Sequence, residues 1–169
     1  MGAGVLPVAL YKGTLFLLLG QERHNNLWSD FGGGTKHGET SLKTAIREGT
    51  EELSGYLGDY NELENKLKNK YITGYTDDRY TSYLFKQSYS SNLPSYFNKN
   101  NRFIEEYCCQ NFIKADNGLF EKKRIKWYSI NELQKSNTKN IIRPHYYNII
   151  LTICNNEKLI IDKIKDFNY

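Results

Sequence analysis

Residues 33–55 constrain this chain more than any other stretch. They open on a glycine loop, pass an isolated acid, Glu39, and close with Arg47, Glu48, Glu51 and Glu52 inside six positions. The three glutamates stand at i, i+3 and i+4, so a helix puts them on one face. Carboxylates this close repel by roughly 0.2–0.5 kcal/mol per pair. Water does not offset that on a folded surface, whereas a divalent cation does. An all-oxygen ligand set suits Mg²⁺ or Mn²⁺ rather than zinc.

The flanks predict that helix. Leu42, Ala45, Ile46, Gly49 and Leu53 recur at helical spacing and form an apolar stripe away from the glutamates. Thr40 or Ser41 caps the start, and Ser54-Gly55 ends it. Upstream, Gly32-Gly33-Gly34 lets backbone approach a ligand or metal because no Cβ intervenes. Carbonyls there can ligate a cation, and the first helical N–H groups can face an anion.

These residues resemble the Nudix box: glycine, five residues, glutamate, seven residues, Arg-Glu, an aliphatic, any residue, Glu-Glu, any residue, glycine, an aliphatic. Gly33, Glu39, Arg47, Glu48, Glu51 and Glu52 fall in register. Gly49, Ser54 and Gly55 depart from it, and none of the three removes a metal-binding or proton-transfer group. Gly49 costs a helix roughly 1 kcal/mol against alanine, so packing must hold this one. The resemblance implies an α/β (α+β) fold of Nudix type, an αβα sandwich with a mixed curved sheet. It also implies hydrolysis of a phosphoanhydride with one to three Mg²⁺ or Mn²⁺ ions.

With 169 residues there is room for one domain and a sizeable core. Net charge +4 favours an anionic partner without specifying nucleic acid. Cys108, Cys109 and Cys154 give an odd count with no CxxC spacing, which suits a reducing compartment, the cytoplasm, better than a disulfide framework. The apolar run 15–19 is too short to span a bilayer, and nothing resembles a signal peptide. No membrane partner is expected, and oligomeric state is not legible.

Along the chain, 5–11 and 14–20 read as strands joined by a hairpin at Lys12-Gly13, with Pro7 marking an edge or bulge. A loop holding 24–30 leads to the box. Segments 71–76 and 79–89 read as a second hairpin turning at Asp77-Asp78, and 123–130 as a further strand. Ser129 and Glu132 form a capping box. Pro144 opens a last helix whose Tyr147, Ile150, Leu151 and Cys154 share a face. Residues 88–95 read as loop. Phe103, Ile104, Tyr107, Cys108 and Phe112 suggest an inserted helix around 95–115, which frames a substrate pocket or caps the core.

The resemblance gives the site its expected parts. Glu48, Glu51 and Glu52, with the Gly32 carbonyl, would hold the metal, and one box glutamate or one from a distant loop would be the general base. Arg47 is expected to point away from the carboxylate face and to pair structurally with Glu39. Glu121, in competition with Glu105 and Glu106, fits an extra loop acid. Arg23 fits a phosphate contact or a solvated charge, and Lys36 and His37, inside the loop, would add a lesser phosphate contact beside metal and backbone. Trp28 and Phe31 flank the glycines, where they would stack a base or pack the loop. His145 reads as a helix-start residue.

Three substrate classes suit this chemistry. One is a nucleotide derivative, such as a nucleotide sugar or dinucleoside polyphosphate. Another is the 5′ cap of mRNA, since the compact chain is loosely similar to Nudix decapping enzymes of large DNA viruses. The last is a diphosphoinositol polyphosphate, suited to Lys122, Lys123, Arg124 and Lys126. A non-catalytic Nudix-fold nucleotide sensor is the alternative of another class.

Overall fold

The structure, a computed structural model, describes residues 1–108 and 118–167. Strands β1 (Gly2–Tyr11) and β2 (Thr14–Glu22) meet at Lys12 and Gly13, whose φ angles of 48° and 78° make the mirror-image turn that matches strand twist. Short strands β3 (Trp28–Ser29) and β4 (Phe31–Gly34) follow, so the expected loop at 24–30 contains a strand. Next come α1 (Ser41–Glu52), α2 (Tyr60–Lys70), β5 (Tyr71–Asp77), β6 (Tyr80–Lys86) and α3 (Asn92–Tyr107). The chain closes with β7 (Lys122–Ser129), α4 (Ile130–Leu133), a 3₁₀ turn (Ser136–Asn140), α5 (Pro144–Asn155) and α6 (Glu157–Asp166).

Seven strands form one mixed sheet. β1 runs parallel to β6 along one edge; on the other it pairs antiparallel first with β4, at Gly2–Val5, and then with β2, at Val8–Tyr11. Pro7 therefore marks no sheet edge. It sits where that side of β1 changes neighbour, so its missing N–H breaks neither antiparallel ladder. β1 is central and buried on both faces. Ala3, Val5 and Ala9 pack against α1, α2 and α3, whereas Leu6 and Val8 pack against α5 and α6. The result is the expected αβα sandwich.

Thr40 caps α1 through a bond from the Lys43 amide (3.3 Å), and the helix ends before the left-handed pair Ser54 and Gly55. Ala45, Ile46 and Leu53 are buried, but Leu42 in the first turn is exposed and borders an open groove with Leu67, Tyr71 and Tyr83. Gly49 gains a reason here. A Cβ would run into Val5 Cγ2 and stand 3.2 Å from Leu63 Cδ2. The residue that weakens the helix is the one that lets it lie against β1.

Other expectations shift. α3 begins at Asn92, inside the segment read as loop, and its inner residues are Phe97 and Asn101, leaving Phe103 and Tyr107 exposed. Cys109 and Phe112 lie outside the described residues. Asn98 on α3 bonds Ile125 on β7 twice: its Nδ2 donates to the carbonyl (3.1 Å) and its Oδ1 accepts from the amide (2.8 Å). α2, opened by an Asp59–Glu62 capping box, went unread in the sequence. The predicted capping box at Ser129 and Glu132 is present. α5 buries Tyr146, Ile149, Ile150 and Ile153 rather than Leu151, and it is followed by α6.

Candidate active site

The three glycines of β4 serve different contacts. A Cβ on Gly32 would collide with the Tyr80 hydroxyl, and one on Gly33 would lie 2.7 Å from the Glu48 carboxyl carbon. Glycine thus lets the Glu48 carboxylate lie flat on the strand. The Thr35 amide donates to the Met1 carbonyl (3.0 Å), which sets the ladder phase. Gly33 then bonds to Ala3, while Gly32 and Gly34 turn their carbonyls to the outer edge. Arg47 Nη2 donates to the Gly34 carbonyl at 3.0 Å, so the Gly32 carbonyl shares the edge facing the charged side of α1.

Arg47 is the hub of that side. Its Nε and Nη2 grip Glu39 at 2.7 and 3.1 Å, and its Nη1 reaches Glu48 Oε1 at 2.8 Å and Glu51 Oε2 at 3.2 Å. It does not point away from the glutamates, as the sequence suggested; its planar fork is wide enough to serve them and Glu39 together. Glu39 also accepts from the Lys36 amide and the Thr44 hydroxyl, both at 3.0 Å. The Arg47 bonds and the Lys36 amide hold its carboxyl down at about 2.

Glu52 turns inward instead. It is 2% exposed, with Oε1 3.5 Å from the ammonium of Lys122, which is fully buried. Lys122 Nζ also donates to Glu22 Oε1 (2.5 Å) and Ser29 Oγ (3.0 Å), and Arg143 Nη1 donates to the same Glu22 oxygen at 2.8 Å. Burial raises the Glu52 carboxyl well above the usual range, and Lys122 opposes this without cancelling it. Glu22 feels the same burial, but Lys122 and Arg143 outweigh it and hold that carboxyl low. Glu48 is raised by burial, against Arg47 and reinforced by Glu51 and Glu121. Nearby, Asp30 accepts from Tyr80 (2.7 Å) and Ser82 (2.6 Å), and burial pushes it up to about 6.

No family model matches the sequence, and no curated protein matches it. Solved structures do resemble it. A C. elegans Ap4A hydrolase superposes with a TM-score of 0.54 at 13% identity, over 92% of this chain and 96% of the other. A bifunctional NMN adenylyltransferase/ADP-ribose pyrophosphatase from Francisella tularensis, complexed with AMP and a Mn ion, gives 0.56 at 19% identity, over 92% of this chain and 41% of the other. A protein described as a NUDIX hydrolase from Listeria monocytogenes gives 0.50 at 13% identity, over 94% of each chain. The chain has the Nudix fold.

Within that Nudix fold the remaining expected residues divide. Glu121 is exposed and close enough to raise both Glu48 and Glu52, and Gly118 in the same loop lies against Glu51. Glu105 instead pairs with Arg23 (3.0 Å), and Glu106 with Arg102 (3.8 Å). Arg23 also donates to the Phe120 carbonyl (2.9 Å), so it braces the Glu121 loop. Lys36 and His37 are exposed on the loop. Phe31 is fully buried, and Trp28 stands edge-on to Tyr128 at 5.1 Å, so both rings pack the core rather than offer a base-stacking face at the glycines. Lys122 leaves the basic surface cluster altogether. His145 lies in the first turn of α5, edge-on to Tyr80.

The sequence did not mark Glu22, Asp30, Tyr80 or Arg143 for the site. One trace was visible: Gly20 interrupts a leucine-rich strand, and a Cβ there would lie 2.8 Å from Lys122 Cδ. Among the described residues no three His, Cys, Asp or Glu side chains converge as a closed metal cluster. The donors nonetheless fit a hard cation. Glu52 Oε2 is buried without a hydrogen-bond partner, Glu51 shares the Arg47 guanidinium with the glycine strand, and the Gly32 carbonyl faces the same edge. All three are oxygen ligands.

Proposed function

We propose that this chain is a divalent-metal-dependent hydrolase of a pyrophosphate bond in a nucleoside diphosphate linked to a second group. The observation that carries the reading is the unpartnered, buried Glu52 Oε2 on the same helix whose Glu48 lies against the open glycine strand. Glu52, Glu51 and the Gly32 carbonyl would hold Mg²⁺ or Mn²⁺. When bound, the cation supplies neutralisation of phosphate charge and an acidified water. Glu48, raised by burial yet steered by Arg47, is suited to accept the water's proton. Arg47 and Glu39 keep the glycine loop and α1 in register, and Glu121 closes the rim. The chain is read as one domain in a reducing, cytoplasmic setting.

Among substrates, dinucleoside polyphosphates and ADP-ribose-like compounds have the support of the named neighbours. Capped RNA is the second reading, favoured by a basic surface outside the carboxylate site. Diphosphoinositol loses support because Lys122 is buried. A sensor is disfavoured by the intact carboxylates.

The test is nucleotide release from diadenosine tetraphosphate, ADP-ribose, cap dinucleotide, capped RNA and diphosphoinositol, with Mg²⁺ and with Mn²⁺. Glu52→Gln should lower turnover of the preferred substrate by about 10²-fold or more. Silence across the panel, with equal nucleotide binding by parent and variant, would point to the sensor.

A further inference from the structure

A basic channel runs along the outer side of β7 and α3, apart from the carboxylates. It joins two cavities of about 330 and 390 Å³ that share Asn98 and Arg124. The first is walled by Lys99, Arg102, Glu105 and Lys123, and the second passes over the strand to Lys126, Trp28 and Tyr128. Asn98, whose amide is already spent on Ile125, forms an inert floor. The walls are cationic, since Lys99, Arg102, Lys123, Arg124 and Lys126 are all exposed. Lys99 and Lys123 have no acid within ion-pair distance among the described residues. Arg102 and Lys126 meet Glu106 and Glu132 only in exposed pairs, which hold weakly.

The layout matters as much as the charge. Lys99 and Arg102 stand one helical turn apart and share the first cavity with Lys123, Lys126 lines the second, and Arg124 borders both. These cations form a line rather than converging on a point. A compact anion would engage part of the line, whereas a chain of phosphates can follow all of it. At the far end Arg124 lies over the buried Trp28 ring (5.6 Å) and Lys126 over the buried Tyr128 ring (4.2 Å), so the core aromatics hold these two cations in place. The near end reaches the carboxylates through Glu105, Arg23, the Phe120 carbonyl and Glu121.

We propose that this channel binds the phosphodiester backbone of single-stranded nucleic acid leading toward the Glu48–Glu52 site. The proposal rests on the reading of that site as an anhydride-binding centre, but its test does not require hydrolysis. Fluorescein-labelled U12 is titrated with the full chain in EDTA at several salt concentrations, followed by anisotropy. A 12-base-pair duplex and inositol hexakisphosphate run alongside. Affinity should fall with salt at a log–log slope of about −2 to −3, as expected for three or four neutralised phosphates. The double variant Lys99→Glu/Lys123→Glu should weaken U12 binding at least about tenfold and flatten that slope. Its melting temperature and its diadenosine tetraphosphate hydrolysis should match the parent's, since neither residue touches the carboxylate site. U12 binding that is absent, or unchanged in the variant, would overturn the proposal. So would inositol hexakisphosphate or the duplex binding more tightly than U12. If the parent hydrolyses nothing yet binds U12 through Lys99 and Lys123, the hydrolase reading fails and the channel stands.

Discussion

Two cations organise the acids of this protein in opposite ways. Arg47 works at a partly wet surface, where its fork reaches Glu39, Glu48, Glu51 and a backbone carbonyl at once. Lys122 works where water is excluded, as a single charge among Glu22, Glu52 and Ser29. The first arrangement depends on directed bonds and should tolerate loss of any one of them. The second depends on charge balance, so removing its centre strands Glu52 in the core and leaves Glu22 to Arg143 alone. Shape secures one cluster and neutrality the other.

The largest expected effect follows from that contrast. Lys122→Ala should lower unfolding stability by about 3–5 kcal/mol, because the buried acids lose their counter-charge. Urea unfolding of this variant beside Arg47→Ala measures the difference; equal losses would erase the distinction. Arg47→Lys keeps the charge and removes the fork, so it should cost less stability, about 1–2 kcal/mol. Its turnover should fall further than its substrate affinity, and an unaltered kcat would show that Arg47 does not orient Glu48. The smallest effect concerns Glu39. Its carboxyl titrates at about 2 when folded against an ordinary 4.5, so its contribution is present above pH 4.5 and disappears as pH falls toward 2. Melting curves between pH 5 and 2.5 should therefore be flatter for Glu39→Gln than for the parent. Superimposable profiles would remove Glu39 from the surface cluster's energetics.

The same contrast explains what the sequence could reveal. Arg47 and its acids lie within one short segment, where helical spacing and a recognisable motif make them legible before any coordinates. Glu22 and Lys122 are 100 positions apart and meet only because β2 and β7 pair. A lysine in a basic run reads as solvated, and only Gly20 hinted that something large crosses that strand. Strands and hairpins were legible because apolar runs and turn residues are local signals. The faces of α3 and α5 were not, because several registers of apolar residues fit a helix and the sheet chooses among them. Gly49 shows the same limit: local propensity marks it as a fault, while the approach to Val5 makes it a requirement.

The double bond between Asn98 and Ile125 has a consequence for how this molecule meets others of its kind. β7 is the last strand on its side, and a row of open amides and carbonyls there invites another chain to add itself. For one residue, the Asn98 side chain imitates the neighbour that is missing, offering donor and acceptor in the order a strand would. Asn101 does the same for the Lys122 carbonyl (3.1 Å), so two carboxamides of α3 occupy that margin against strand addition, and the exposed cations beside it disfavour a second copy.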